Sequence, residues 1–305
     1  MQSISVIIPT YNGEKKLPNL LSALEKQSIS GFEVVIVSDG STDHTSEVVQ
    51  GNKWNLDIRF LTQENKGRSA TRNKSAANAK NELLVFFDDD MRPLPNCVEE
   101  HLKHHTEYPG SIVTGGLMEE VTPSSSELFN YKSFLSHKWL AQYKSEGSKL
   151  LTRKQFFMTT ANFSIPKTLF NQVGGFDERL TDTEDYDFAV RAYKMNVPLY
   201  YKYKAFAWHD DIINASIYIK RQRQYYEAQA KLKNIHPEWE VEQFLQPKYT
   251  PTGLKASVFK LFCSESWIEA IDKDKLKWLP TAIRYRLYDY IITANGAFFP
   301  DRVQL

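Results

Sequence analysis

Three consecutive aspartates, Asp88–Asp90, directly follow the apolar run Leu83–Phe87. A short apolar run is typical of a buried strand, so the carboxylates are placed at the C-terminal edge of a predicted sheet. Ligands of open α/β sheets bind beyond that edge. Because neighbouring carboxylates repel one another, the cluster fits a divalent cation such as Mg²⁺ or Mn²⁺. A solvated acidic turn is the alternative, and the motif alone does not separate the two.

Polar and aromatic residues also follow the first two predicted strands. Pro9, Thr10 and Tyr11 come after the strand Ile4–Ile8, and Asp39 comes after the strand Phe32–Val37. An aromatic ring there could stack on a flat base, and a carboxylate could accept a hydrogen bond from the imide N–H of a uracil. Both segments also read as ordinary turns, and for the first segment we favour the turn.

Two arginines stand near the start of the predicted helix Gly67–Ala79. Cations at that end of a helix oppose its dipole, so Arg68 and Arg72 need another reason to be there. An anionic partner, such as Asp39 or a nucleotide phosphate, would supply it. Arginines that are simply solvated remain the alternative.

Further candidates lie in the second half of the chain. Glu184 and Asp185 begin the predicted helix Glu184–Met195. They could be acids that the helix dipole favours in the first turn, or they could supply a general base. His209 directly follows the strand-like run Ala205–Trp208. A single histidine is more often structural than a metal ligand, but this one follows a strand as the aspartates do.

The elements that must position these residues alternate between strands and helices over about the first 100 residues. That alternation predicts right-handed βαβ units, a mainly parallel sheet and the α/β class. The pattern then loosens, with a long helix predicted over Ile217–Leu232 and further helices to the end of the chain. The other elements are predicted at 16–27, 42–49, 58–61, 99–105, 111–117, 130–143, 162–165, 167–172 and 199–203.

The composition is that of an ordinary globular protein, with 42% hydrophobic and 25% charged residues among 305. A net charge of +1 gives no case for a nucleic acid partner. The two cysteines, Cys97 and Cys263, fit neither a disulfide framework nor a zinc site. No signal peptide and no apolar stretch of roughly 20 residues is visible, which favours a cytoplasmic protein.

The C-terminal third mixes aromatic residues with lysine and arginine. Leu276–Pro280 and Ile283–Leu287 fit either an amphipathic surface that contacts lipid or helices packed back on the rest of the protein. We favour packing. The first interpretation would place the protein peripherally at the inner face of the membrane.

Taken in order, these motifs resemble family 2 glycosyltransferases with the GT-A fold. The match runs from residue 3 to about residue 210. It is carried by Ile7–Asn12, Val37–Asp43, Asn65–Arg68, Arg72–Asn73, Phe87–Asp90, Gly174–Glu178 and Glu184–Asp185. The ordered set is specific, although each motif alone is weak.

The resemblance implies a Rossmann-like sheet and a metal-dependent, inverting, hexosyl-type transfer. The donor would be a nucleotide diphosphate sugar, most often a UDP-sugar. The acceptor would be a hydroxyl of a saccharide or lipid-linked saccharide, in surface polysaccharide or glycoconjugate synthesis. Residues 1–110 would form the nucleotide-sugar-binding half, 111–225 the acceptor-binding and catalytic half, and 226–305 a helical C-terminal extension.

The resemblance also implies residue roles. Asp185 would be the general base, with Glu184 orienting the acceptor. Asp90 would bind Mg²⁺ or Mn²⁺, with His209 as second ligand. The nucleotide would be held by Pro9, Thr10, Tyr11, Asp39, Arg68, Asp88 and Asp89. Of these, Thr10, Tyr11, Asp39 and Arg68 would hold the base, and Asp88 would contact the ribose with Asp89 nearby.

One aspartate has no assured role. Strand alternation places Asp89 on the opposite face from Asp88 and Asp90, where it could pair with an arginine such as Arg72.

Two other functions of the protein stay open. A sugar-1-phosphate nucleotidyltransferase usually carries a glycine-rich loop after the first strand, and Pro9–Asn12 argues against it. The intact acids argue against a non-catalytic nucleotide-sugar-binding subunit.

Overall fold

The structure is a computed structural model, and it describes residues 3–153, 157–241 and 249–305, without the side chains of 240 and 241. The chain divides into two compact units. The first unit comprises Met1–Glu120 with His137–Asp210, and the second comprises Val121–Ser136 with Asp211–Leu305. The expected functional division at residues 110 and 225 stays a prediction.

The first unit is built on a sheet in the order β3-β2-β1-β4-β8-β6-β9-β5, with β7 paired to β9. Its strands are β1 (Ile4–Thr10), β2 (Glu33–Asp39), β3 (Asp57–Gln63), β4 (Leu83–Phe87), β5 (Met91–Pro93), β6 (Ile112–Met118), β7 (Lys149–Leu150), β8 (Asn162–Pro166) and β9 (Leu199–His209). β5, β7 and β8 run against the other described strands, which share one direction. The predicted α/β class with a mainly parallel sheet is confirmed.

Helices connect these strands and make up the second unit. They are α1 (Leu17–Glu25), α2 (Thr45–Gly51), α3 (Arg68–Asn78), α4 (Cys97–Glu107), α5 (Glu127–Leu140), α6 (Lys167–Val173), α7 (Glu184–Lys194), α8 (Ala215–Ile235), α9 (Glu238–Val241), α10 (Gly253–Leu261), α11 (Glu265–Asp272) and α12 (Thr281–Thr293). A π-helical turn at Ala294–Phe298 and a 3₁₀ turn at Pro300–Arg302 follow. The predicted helical C-terminal region is confirmed.

The central strands are apolar because both of their faces are covered. Every residue of β1, β2 and β4 is buried, as expected for parallel strands between layers of helices. One core cluster includes Ile7, Phe86 and Phe163, and the other includes Ile8, Val34 and Phe87. Alternate residues of one strand thus pack on opposite sides of the sheet.

Strand register brings the predicted motifs to one edge of this sheet. Thr10 at the end of β1 pairs with Ser38 of β2, next to Asp39. β4 lies on the other side of β1 and ends at Phe87, directly before the three aspartates. The carboxyl ends of β1, β2 and β4 therefore carry the residues that the sequence singled out.

The short strand β5 was not predicted, yet it positions the site. It pairs antiparallel with β9, and Met91 lies opposite His209. The predicted strands at 199–203 and 205–208 form one strand, β9, whose register against β6 shifts between Gly115 and Gly116. β5 was missed because its three residues are too few to show a periodic pattern. β9 was predicted as two strands because the register shift is a bulge that interrupts its pattern.

The second unit has its own apolar core. Leu128, Ile219, Ile271 and Tyr288 belong to one buried cluster within it. Of the segments considered as a membrane surface, Leu276 and Arg284 are buried, whereas Trp278 is 80% exposed. Among the helices of the part described, none is long and apolar enough to cross a membrane.

Candidate active site

Each of the three aspartates after β4 has a different partner. Asp88 accepts a hydrogen bond from Arg72 at 2.5 Å. Asp89 accepts one from the hydroxyl of Thr10 at 2.7 Å. Asp90 Oδ1 lies 3.5 Å from Nε2 of His209. The chain leaves the strand in a turn here, so the three side chains diverge and their repulsion is reduced.

Asp90 and His209 are suited to hold a metal ion. The Oδ1 atom of Asp90 is buried and forms no hydrogen bond with any residue in the described ranges. Burial raises the pKa of Asp90, but the nearby imidazole of His209 and the charge of Lys16 outweigh it, so the pKa falls to about 2. An ionised carboxylate with an open oxygen beside an imidazole fits a divalent cation of the Mg²⁺ or Mn²⁺ kind.

Asp89 holds the loop that follows β1. Besides the bond from Thr10, it accepts one from Nζ of Lys16 at 3.0 Å. Burial raises the pKa of Asp89 despite the Lys16 charge. The expected pairing of Asp89 with Arg72 is wrong, because the carboxylate turns toward β1 and α1. Sequence reasoning missed Lys16, although a cation in the loop after the first strand is a detectable signal.

Arg72 is the buried cation of the site. It is 3% exposed, and its two terminal nitrogens bind different carboxylates. Nη2 donates to Asp88 at 2.5 Å and Nη1 donates to Glu184 at 2.6 Å. Burial lowers the pKa of Arg72, but the charges of Asp88 and Glu184 more than offset this and raise it. A cation near the start of a helix needs anionic partners, and for Arg72 these partners are Asp88 and Glu184.

Glu184 and Asp185 begin α7 at a strained turn. The preceding residue, Thr183, is buried and adopts a left-handed conformation with φ of 62°. A β-branched residue rarely adopts this conformation, and such strain is concentrated at functional sites. Burial, together with the charge of Glu184, raises the pKa of Asp185 to about 7. A carboxylate poised near neutrality is suited to general base catalysis.

Asp39 organises the loop that leads into α3. Its Oδ1 accepts hydrogen bonds from the backbone N–H of Lys66 at 2.8 Å and from the Gln63 side chain at 2.7 Å. Its Oδ2 accepts one from the N–H of Gly67 at 2.9 Å. Asp39 thus pairs with two backbone amides and the Gln63 side chain. It does not pair with Arg68, which the sequence had suggested as its partner. Arg68 itself is exposed at the start of α3.

The remaining candidates lie around that loop. Pro9 and Thr10 are buried at the end of β1, and Tyr11 directly after them is 50% exposed. The exposed Tyr11 ring and Arg68 side chain are accessible to a ligand. These candidates therefore lie at the end of β1 and at the start of α3.

Comparisons with known proteins point to one family. The model of the family described as Glycosyl transferase family 2 matches residues 5–174, more than half of the chain. An uncharacterized glycosyltransferase from Haemophilus influenzae is 30% identical over 208 residues, which are 65% of this chain and 67% of that protein. A validoxylamine A glucosyltransferase from Streptomyces hygroscopicus subsp. limoneus is 29% identical over 221 residues, 64% of this chain and 49% of that protein. The chain thus spans about half the length of several curated relatives.

Two solved structures share the fold. Mannosyltransferase PcManGT from Pyrobaculum calidifontis, in complex with GDP-Man and Mn²⁺, matches with a TM-score of 0.62 at 17% identity, covering 96% of this chain and 86% of that one. TarS 1-349 from S. aureus, in complex with UDP, matches with a TM-score of 0.56 at 20% identity, covering 96% and 90%. Identities this low concern the fold alone, and the expected GT-A fold is confirmed.

Proposed function

The chain belongs to glycosyl transferase family 2, and from this premise we propose that it is a metal-dependent, inverting glycosyltransferase. The donor is a nucleotide diphosphate sugar, most simply a UDP-sugar, and a hexosyl group passes to an acceptor hydroxyl. The observation that carries the proposal is the pair of separate acidic sites that Arg72 connects, one after β4 and one at the start of α7. Asp90 with His209 serves the leaving group, and Asp185 serves the acceptor.

The nucleotide lies along the ends of β1, β2 and β4. Tyr11 and Arg68 are exposed there and can contact the base, while Asp39 shapes the loop that carries Arg68. Pro9 and Thr10 lie behind this site at the end of β1, and Asp88 contacts the ribose. Support for a uridine nucleotide comes from the UDP complex of TarS, whereas the complex of PcManGT holds GDP-Man.

Asp90 and His209 would hold the metal ion, Mg²⁺ or Mn²⁺. When bound, such an ion neutralises the negative charge that develops on the diphosphate leaving group. The PcManGT structure contains Mn²⁺, which supports this proposal for the family. Lys16, bonded to Asp89, adds a further positive charge beside the same cluster.

Asp185 acts as the base in a single displacement. The acceptor oxygen attacks the anomeric carbon, the bond from that carbon to the diphosphate oxygen breaks, and Asp185 takes the acceptor proton. The nucleoside diphosphate leaves with the bonding electron pair, so the anomeric configuration inverts. General base catalysis of this kind contributes typically 10²–10⁴-fold. Glu184, held by Arg72, orients the acceptor.

Replacing Asp185 by Asn tests this assignment. Because Asn cannot take up a proton, we expect release of nucleoside diphosphate to fall by roughly 10²–10⁴-fold while UDP binding stays within a fewfold. Asp57→Asn, at an exposed carboxylate of β3, is the matched control and should match the wild type. If the wild-type protein binds UDP but turns over none of the nucleotide-sugar donors, it is a non-catalytic binding subunit. Release of pyrophosphate from a nucleoside triphosphate and a sugar-1-phosphate would point to a nucleotidyltransferase.

The acceptor is a saccharide or a lipid-linked saccharide in surface polysaccharide or glycoconjugate synthesis. We place the reaction in the cytoplasm, at the inner face of the membrane, because both cysteines are free and α10 offers an apolar face. Leu254, Val258 and Leu261 are exposed at helical spacing on this helix. Lys255 and Lys260 flank them, and residues 249–264 contain no acid, so the face complements an anionic bilayer.

A further inference from the structure

We propose that Arg72 is a positioning residue that couples the nucleotide site to the acceptor site. It does so by holding Asp88 and Glu184 on the two arms of one guanidinium group. The inference rests on the proposed function, because Asp88 and Glu184 belong to the donor and acceptor sides of that reaction. It goes further by assigning a role to a residue that neither substrate would need to touch.

The contacts of Arg72 bring together three distant parts of the chain. Arg72 lies in α3, Asp88 follows β4, and Glu184 is the first residue of α7. The two hydrogen bonds, at 2.5 and 2.6 Å, span 16 and 112 residues of sequence. A planar guanidinium holds both carboxylates at fixed positions, whereas the single ammonium of a lysine cannot reproduce this fork.

Burial makes the arrangement rigid. Arg72 and Glu184 are 3% and 2% exposed. A buried carboxylate without a partner is strongly destabilised, so Glu184 is constrained to stay on Arg72. The Oε2 atom of Glu184 accepts no hydrogen bond from the residues that the structure describes. The bond from Arg72 to the other oxygen therefore fixes the orientation of the group.

The neighbouring residue reinforces the same connection. Asn73 donates to the carbonyl of Phe176 at 2.9 Å and accepts from its N–H at 2.9 Å. Gly175 must be a glycine here, because a Cβ would lie 2.9 Å from Oδ1 of Asn73. α3 thus anchors both the start of α7, through Arg72, and the loop that leads toward it, through Asn73. A shift of Asp88 on donor binding would reach the acceptor side through α3.

The charge of Arg72 also acts on the base. It lowers the pKa of Asp185, against the larger upward effects of burial and of Glu184. Loss of this charge should therefore raise the pKa of the base further. A merely structural arginine would not be expected to move the pH profile of the reaction.

The first test replaces Arg72 by Lys, which keeps the charge but loses the fork. We expect kcat to fall by about 100-fold or more, since misplacement by about 1 Å costs that much, while the Kd for UDP changes less than about fivefold. Arg72→Met should in addition move the acidic limb of the kcat/KM profile to higher pH. Lys74→Met removes a cation from the same helix and is the control. A kcat of Arg72→Lys within threefold of the wild type would overturn the proposal.

A double-mutant cycle gives a test that leaves Arg72 in place. Asp88 and Glu184 share Arg72, so the effects of Asp88→Asn and Glu184→Gln on kcat should be coupled by at least about tenfold. Coupling of this size supports the bridge, even if the Arg72 variants do not fold. Effects that simply multiply would refute it. Absence of transfer by the wild-type protein would instead reject the proposed function, which separates the two failures.

Discussion

Asp185 sets the pH at which the proposed reaction runs. Burial and the charge of Glu184 raise its pKa to about 7, so the carboxylate is largely protonated below that pH. A protonated carboxyl cannot accept the proton of an acceptor hydroxyl. We expect kcat/KM to rise about tenfold for each pH unit below 7 and to level off above it. Measurement at saturating metal ion would show this limb, and a flat profile between pH 5.5 and 8 would contradict the assignment.

Lys16 supports the buried carboxylate of Asp89. Its Nζ atom donates to Asp89 at 3.0 Å, and its side chain is 44% exposed. Replacing it by Met leaves Asp89 with one hydrogen-bond donor fewer, so we expect the free energy of unfolding to fall by about 1 kcal/mol. Urea denaturation would measure this. Lys15→Met, an adjacent exposed cation, should change stability by less than half as much, and equal effects would rule out a specific role for Lys16.

The placement of most candidate residues at element ends could be predicted, but their pairings could not. Asp88 and Asp90 follow β4, His209 ends β9 and Asp185 lies in the first turn of α7, placements that sequence reasoning can identify. Arg72 was predicted to need an anionic partner, but Asp89, the acid named for it, does not pair with it. Its partners lie 16 and 112 residues away, and only the packing of α3 against the sheet decides which acids it meets. Pairing across that distance leaves no local signal.

At the scale of elements, α4 carries three buried histidines that form part of the sheet core. His101, His104 and His105 bind hydroxyl and amide groups, among them Ser164 and Ser148. Burial lowers their pKa values, to about 4 for His101, about 2 for His104 and about 3 for His105. Folding therefore requires all three rings to be neutral.

This requirement predicts loss of stability in mild acid. The unfolded chain binds protons below pH 6.5 and the folded chain does not, so the free energy of unfolding should decrease as the pH falls from about 6.5 toward 4. At pH 5 the loss is about 2 kcal/mol for each histidine. Urea denaturation across this pH range should show that the free energy of unfolding of His105→Gln depends less steeply on pH than that of the wild type. An unchanged slope would show that the ring is protonated when folded. His137→Gln, at an exposed histidine, is the control.

Element prediction worked where periodic patterns were long. The buried strands β1, β2 and β4 were visible as apolar runs, and α8 was visible from Ile217 onward. β5 was invisible because three residues carry no period, yet its pairing with β9 places Asp90 beside His209. The helix predicted from Thr42 begins only at Thr45, since Asp43 accepts bonds from the N–H and hydroxyl of Thr45 and holds the preceding residues in a turn.

At the scale of the whole molecule, the second unit has a packed core and an apolar exterior face. Leu254 and Leu261 of α10 are 83% and 73% exposed, although they lie in an ordered helix. Apolar side chains that are exposed together mark interaction sites more often than those that occur singly. A bilayer would bury these leucines, and its anionic headgroups would attract Lys255 and Lys260 by about 1 kcal/mol each.

Vesicle co-sedimentation tests this surface. We expect the protein to sediment with vesicles that contain anionic lipid, less with neutral vesicles, and less again at high salt, because screening weakens the lysine contribution. Leu254→Glu with Leu261→Glu should abolish binding, since charges replace the inserted side chains, while transfer to a soluble acceptor stays unchanged. Ile212→Glu, at an exposed apolar residue outside α10, is the matched control and should still bind. If the double variant instead changes only the molecular mass in light scattering, the face joins two copies of the chain and the membrane proposal is wrong.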